Sequence, residues 1–135
     1  MMRFLACLFL CLTASPVCAE PSLAGSWFGQ GQPGSKESMY LDHFLPGGQI
    51  HSQFRDCVKG KAFDSAEDGS WSVAGDILTI RVAHHDGIVM PRTDTYRLTL
   101  VTARQFKDLY LPLNFPYDER RVDDNFTMPG CQLVS

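Results

Sequence analysis

Met39-Tyr40-Leu41-Asp42-His43-Phe44-Leu45-Pro46-Gly47-Gly48-Gln49-Ile50-His51-Ser52-Gln53-Phe54 is the stretch on which the fold turns. Two runs rich in aromatic and branched apolar residues flank Pro46-Gly47-Gly48. Glycine accepts the positive φ of a tight turn, so the stretch reads as a β-hairpin. Two registers are open. With a three-residue loop, Tyr40, Phe44, Ile50 and Phe54 share one face, and His43 faces His51 on the other. With a Gly47-Gly48 loop, Leu41, Leu45, Ile50 and Phe54 share a face, and His51 stands opposite Phe44. The first register builds the better core wall.

The same strand-and-turn grammar extends in both directions. Ala24–Gln30 reads as a strand before a Gln32-Pro33-Gly34-Ser35 loop. Gln49–Val58 ends at Lys59-Gly60-Lys61. Ala62–Ala66 and Gly69–Val73 read as two short strands, with Glu67-Asp68 as a solvated break between them. Gly75-Asp76 joins the second of these to Ile77–Ala83 in another hairpin. His84-His85-Asp86-Gly87 reads as a loop. Thr93–Val101, Gln105–Leu111 and Tyr117–Val122 complete the set, with Pro112–Pro116 irregular. Eight or nine strands at roughly ten-residue spacing predict one all-β domain, a single small antiparallel barrel of about eight strands.

The first residues do not belong to that pattern. Arg3, the apolar run Phe4–Leu12, Pro16 and Val17-Cys18-Ala19 form a leader of secretory type, with cleavage expected between Ala19 and Glu20. Nine apolar residues are far short of the ~20 that span a bilayer, so no stable membrane anchor is expected. The working domain is then residues 20–135, exported to a periplasmic or extracellular space. Of the 12 basic and 15 acidic residues only Arg3 leaves with the leader, so the net charge moves from −3 to −4. A mildly acidic domain with no Lys/Arg cluster is not built for nucleic acid. Cys57 and Cys131 alone remain of five cysteines, and in an oxidising compartment they are expected to pair as a disulfide.

The order of the motifs resembles that of small bacterial lipocalin-like proteins. Gly25-Ser26-Trp27 resembles the G-x-W opening of their first strand. Gly69-Ser70-Trp71 through Gly75-Asp76-Ile77-Leu78-Thr79-Ile80 resembles their central hairpin. A bond from Cys57 to the C-terminal tail is similar to a common lipocalin disulfide. The resemblance implies that Trp27 closes one end of the barrel, with Arg120 or Arg121 from the last strand against its ring. It also implies a binding function, with a small apolar or amphipathic ligand held at the other end.

With Trp27 plugging one mouth, the other is left for a ligand. Tyr40, Phe54, Tyr96 and Tyr110 are the candidates for its wall, since a tyrosine ring suits a half-wet surface. A cavity above ~300 Å³ marks a ligand carrier. A filled barrel with one projecting loop marks the alternative, a protein-interaction module such as a hydrolase inhibitor. Enzyme chemistry finds little footing. There is no G-x-S-x-G elbow, phosphate loop or dinucleotide fingerprint, so no catalytic residue and no cofactor is assigned. His43 and His51, with Asp42 or Asp56 nearby, are weak candidates for a metal site, which needs three or four converging ligands. Asp123-Asp124, like Glu67-Asp68, reads as solvated loop.

Overall fold

The structure is a computed structural model that describes residues 22–131. The expected leader and its expected cleavage between Ala19 and Glu20 lie outside the described residues. Eight strands follow in order: β1 (Gly25–Gln32), β2 (Ser35–Phe44), β3 (Gln49–Val58), β4 (Lys61–Ala74), β5 (Ile77–His85), β6 (Ile88–Val101), β7 (Gln105–Tyr110) and β8 (Phe115–Val122). Each pairs antiparallel with the next. β8 then returns to β1, where Trp27 faces Arg121 and Gly29 faces Glu119, and the sheet closes into a barrel. Closure leaves no free edge to template aggregation.

The Pro46-Gly47-Gly48 hairpin takes the three-residue register. Tyr40 pairs with Phe54, Phe44 with Ile50 and His43 with His51, while the Leu45 N–H donates to Gln49 O at 2.8 Å. Strand ends differ from the sequence reading in a consistent way. Gln32 and Ser35 are strand residues around a turn of Pro33 and Gly34 alone. His84 and His85 belong to β5 rather than to a loop. Phe115 and Pro116 open β8. Pro116 lies outside the Glu119–Val122 span that pairs with β1, a place where a strand tolerates the missing N–H.

The largest correction is in β4. The two short strands are one long strand, and Glu67 and Asp68 sit in its middle. The polar pair looked like a break because Glu and Asp are poor strand formers. In the barrel Glu67 turns inward and Asp68 outward, so each has its own environment. A register shift between Asp68 and Gly69 bends the strand. A Cβ at Gly69 would collide with the backbone carbonyl of Arg81 across the ladder. Gly69→Ala is therefore expected to cost ~1–3 kcal/mol, the range for overpacking against an unyielding neighbour. Urea unfolding checks this; an unchanged midpoint would mean that the two strands stand further apart.

The chain's turns alternate between the two ends of the barrel. The β2–β3, β4–β5 and β6–β7 turns lie at one end, with Leu23, Trp27, Phe44, Ile50, Leu78 and Phe106 buried together there. Trp27 is fully buried, with the Phe106 ring edge-on at 4.8 Å. The Arg121 guanidinium lies 4.3 Å from the Trp27 ring centre and donates to the carbonyls of Ala103, Ala24 and Ser22. Gly25 makes room for it. Its φ is +132°, and a Cβ there would run into the Arg121 guanidinium.

A second apolar cluster lies outside the barrel. Phe28, Met39, Leu41 and Cys57 face outward from β1–β3 and are covered by Met128 and Phe126 of the C-terminal tail. Arg120 also faces outward. Its guanidinium sits between the Phe28 and Phe126 rings, at 5.0 and 5.2 Å, and so belongs to the tail rather than to Trp27. Arg55 clasps the tail by donating to the carbonyls of Met128 and Pro129. The Cys57–Cys131 disulfide fastens it, bridging Cα atoms 5.6 Å apart. Thiol labelling of oxidised protein should find neither cysteine until reductant is added; stoichiometric labelling of both without reductant would refute the bond.

Candidate ligand cavity

At the other end, the β1–β2, β3–β4, β5–β6 and β7–β8 turns surround an open mouth. Behind it lies a cavity of about 240 Å³. That is just below the ~300 Å³ at which ligand sites ordinarily begin, so it suits a compact molecule rather than a long acyl chain. Strand alternation decides what lines it, because every second side chain points inward. Tyr40, Phe54, Tyr96 and Tyr110, the four residues singled out from the sequence, all reach it. Tyr117 joins them. Its ring meets Tyr40 edge-on at 5.4 Å, and Tyr96 lies 5.2 Å from Tyr110.

Only about half of the wall is apolar, however. The same alternation delivers Asp42, Glu67, Asp94, Asp108 and Glu119 to the cavity, against one arginine, Arg92. Arg92 donates both terminal nitrogens to Glu67, at 3.0 and 2.9 Å, and its Nε to Asp94 at 2.9 Å. His85 approaches the same Glu67 carboxylate at 3.1 Å, and the Tyr110 hydroxyl donates to Asp94. Glu67 and Asp94 are thus paired.

Asp42, Asp108 and Glu119 are not. Asp42 accepts a hydrogen bond from Ser52 at 2.5 Å, yet burial pushes its carboxyl up to about 6. Burial, with the Asp42 charge added, pushes Asp108 up to about 8. Glu119 is held well above the carboxylate range, first by burial and then by Asp42 and Asp108. Removing a carboxylate from water with no counter-ion favours the protonated form. Asp108 Oδ1, Glu119 Oε2 and the Tyr40 hydroxyl have no hydrogen-bond partner among the described residues. All three residues are at most 4% exposed. Burial raises the Tyr40 phenol as well, and Tyr117 is pushed up to about 12.

Of these acids the sequence reading placed Asp42 beside the histidines and Glu67 in a solvated break, and it did not single out Asp94, Asp108 or Glu119. The usable signal is spacing by two from an inward aromatic: Tyr40-x-Asp42-x-Phe44, Asp94-x-Tyr96, Phe106-x-Asp108-x-Tyr110 and Tyr117-x-Glu119.

The histidines lie elsewhere. His43 and His51 stack on the outer face, ring centres 6.2 Å apart, while Asp42 points into the barrel on the opposite side. His51 Nδ1 is 2.6 Å from Asp68, and His43 Nδ1 is 2.7 Å from Ser26 Oγ. Burial and the neighbouring His51 hold His43 below its ordinary value. Among the described residues, no three His, Cys, Asp or Glu side chains are arranged to hold a metal ion. Ser26 donates to Asp124 at 2.7 Å. The hydroxyl therefore sits between acid and imidazole, not at the end of the relay that a nucleophilic triad needs.

No protein-family model matches the chain, and no curated protein matches it. Fold and cavity together define a closed eight-stranded antiparallel β-barrel, compatible with a lipocalin-like fold.

Proposed function

We propose that the protein is an exported lipocalin-like binding module that holds a small amphipathic ligand in its half-open barrel. The observation that carries the reading is the division of the interior. One end is filled by Trp27, Phe44 and Phe106, while the other keeps a walled cavity with unsatisfied polar atoms. A barrel built only as a scaffold gains nothing from leaving that space, since buried unpaired groups cost stability. The leader-like sequence of residues 1–19 and the disulfide support export. The expectation of an apolar ligand narrows to an amphipathic one, because five carboxyls share the wall with the aromatic rings.

Protein-observed NMR with small aromatic probes tests this. Added 2-phenylethanol, phenethylammonium and phenylacetate cover the neutral, cationic and anionic cases. At least one should shift the resonances of Leu78, Ile80, Tyr96 and Tyr110 together. If none does at millimolar concentration, the carrier reading falls. A second reading, a protein-interaction module, then takes its place. One observation favours it: Ile88, Val89 and Met90 follow the β5–β6 turn with 65%, 74% and 47% of their surfaces exposed. An apolar tip of that kind is unusual on a monomer unless it docks.

A further inference from the structure

Resting on that reading, we propose that the ligand is a small organic cation, an ammonium on a compact apolar body, with its charge held among Asp108, Glu119 and the Tyr40 hydroxyl.

The argument starts from the pairing across β7, β8, β1 and β2. Asp108 stands opposite Tyr117, Glu119 opposite Gly29, and Gly29 opposite Tyr40. Gly29 has no side chain, and the Tyr40 ring occupies the space where its Cβ would be. The glycine thus lets Tyr40 lie flat against the wall, bringing its hydroxyl toward the acids. Asp108 Oδ1 and Glu119 Oε2 are left without partners, the Tyr40 hydroxyl lies close enough to Glu119 to pull its carboxyl down somewhat, and all three residues line one space. Carboxylates and tyrosine hydroxyls share one complement, a multiple N–H donor, and an ammonium supplies three such bonds.

Charge points the same way. Among the described residues Arg92 is the one basic residue lining the cavity, and Glu67 and Asp94 already engage it. Asp42, Asp108 and Glu119 take part in none of the ion pairs among the described residues. Asp42, and Glu67 with Asp94 sharing the single Arg92, keep the cavity negative, so an anion would enter against this field, while Asp108 and Glu119 ionise only when a cation arrives to meet them. The rings of Tyr96, Tyr110 and Tyr117 offer faces that attract cations and an apolar body to stack on. Aromatic rings and apolar side chains sharing the wall with the acids suit the body of an organic cation.

The groups facing Asp108 and Glu119 across the barrel are Tyr40 and Asp42 from β2, Glu67 from β4, Arg92, Asp94 and Tyr96 from β6, Tyr110 from β7 and Tyr117 from β8. Asp108 and Glu119 hold protons more tightly than ordinary carboxyls when the site is unoccupied. A bound ammonium favours their ionised forms, so binding should release protons, and affinity should rise with pH between about 6 and 8.

Isothermal titration at pH 7.5 with phenethylammonium, 2-phenylethanol and phenylacetate reads the selectivity. Phenethylammonium should bind at least about tenfold tighter than 2-phenylethanol, and phenylacetate weakest. Its heat should change between buffers of different ionisation enthalpy, reporting the released proton. Asp108→Asn with Glu119→Gln should abolish the preference while leaving 2-phenylethanol binding in place. Equal affinity for the amine and the alcohol overturns the cation and leaves the carrier reading standing. A preference that survives the double substitution also overturns it. Failure of all three probes overturns both readings. If the double variant does not fold, the wild-type affinity ratio and proton release decide alone.

Discussion

Trp27→Ala is expected to destabilise the protein by ~3–5 kcal/mol, the range for removing a fully buried aromatic side chain. Trp27 is 0% exposed and lies at the centre of the closed end. Four losses coincide there. The cavity left behind cannot collapse easily, because the hydrogen bonds that close β1 onto β2 and β8 fix its walls. Phe106 loses its edge contact at 4.8 Å. The Leu23 carbonyl loses the 2.7 Å bond from the indole N–H. Arg121 keeps its three carbonyl contacts but loses the ring beneath its guanidinium, a contact worth ~0.5–2 kcal/mol. Trp27→Phe retains part of the volume and should cost about half as much. Urea denaturation at neutral pH measures both. A loss below about 1 kcal/mol for the alanine variant is the size of a surface substitution and would mean that Trp27 is no plug. Arg121→Lys should also destabilise, since one ammonium cannot reproduce a flat guanidinium serving three carbonyls and a ring face.

The closed end was the more legible half of this molecule. Gly25-Ser26-Trp27 and the Pro46-Gly47-Gly48 hairpin carry their meaning in local chemistry: a glycine that must lack a side chain, a large apolar residue, a turn with few conformations. Alternation then places Phe44 and Ile50 without further information. The open end was half legible. Tyr40, Phe54, Tyr96 and Tyr110 were visible as mid-strand amphipathic rings, but the acids between them were not. A lone Asp in a strand more often faces water, and only the closed register of eight strands turns Asp42, Asp108 and Glu119 to the same interior. The choice between Arg120 and Arg121 was hidden for the same reason. Adjacent strand residues point to opposite faces, and which one meets Trp27 depends on the β1–β8 pairing, a contact between residues almost a hundred positions apart. The joining of β4 through Glu67-Asp68 was obscured because Arg92, the counter-charge that settles Glu67, comes from a strand two further along.

Those same acids give the second large effect. Without ligand, stability should fall as pH rises from about 4 to about 8, by an amount on the order of a few kcal/mol. Asp42 is raised to about 6 and Asp108 to about 8, and Glu119 is raised well above its ordinary value. In the unfolded chain these carboxyls lose their protons near pH 4. The folded protein keeps them until the higher values are reached, so over this window it binds more protons than the unfolded chain. Stability is then greatest below about pH 4 as far as these groups are concerned, and is lost as pH climbs through 6 and 8. His43 works in the opposite direction. Its value is depressed in the fold, so its contribution improves as pH rises toward about 6.5 and is complete above it. A difference between two proteins removes that term. Asp108→Asn matches the shape of the protonated acid and cannot ionise, so it should equal wild type near pH 4 and exceed it at pH 9, flattening the slope. Urea midpoints at pH 4, 6, 8 and 9, at one ionic strength, give the comparison. A wild-type curve that rises steadily to pH 8, or an asparagine variant that runs parallel to it throughout, would place Asp108 in water rather than in the barrel.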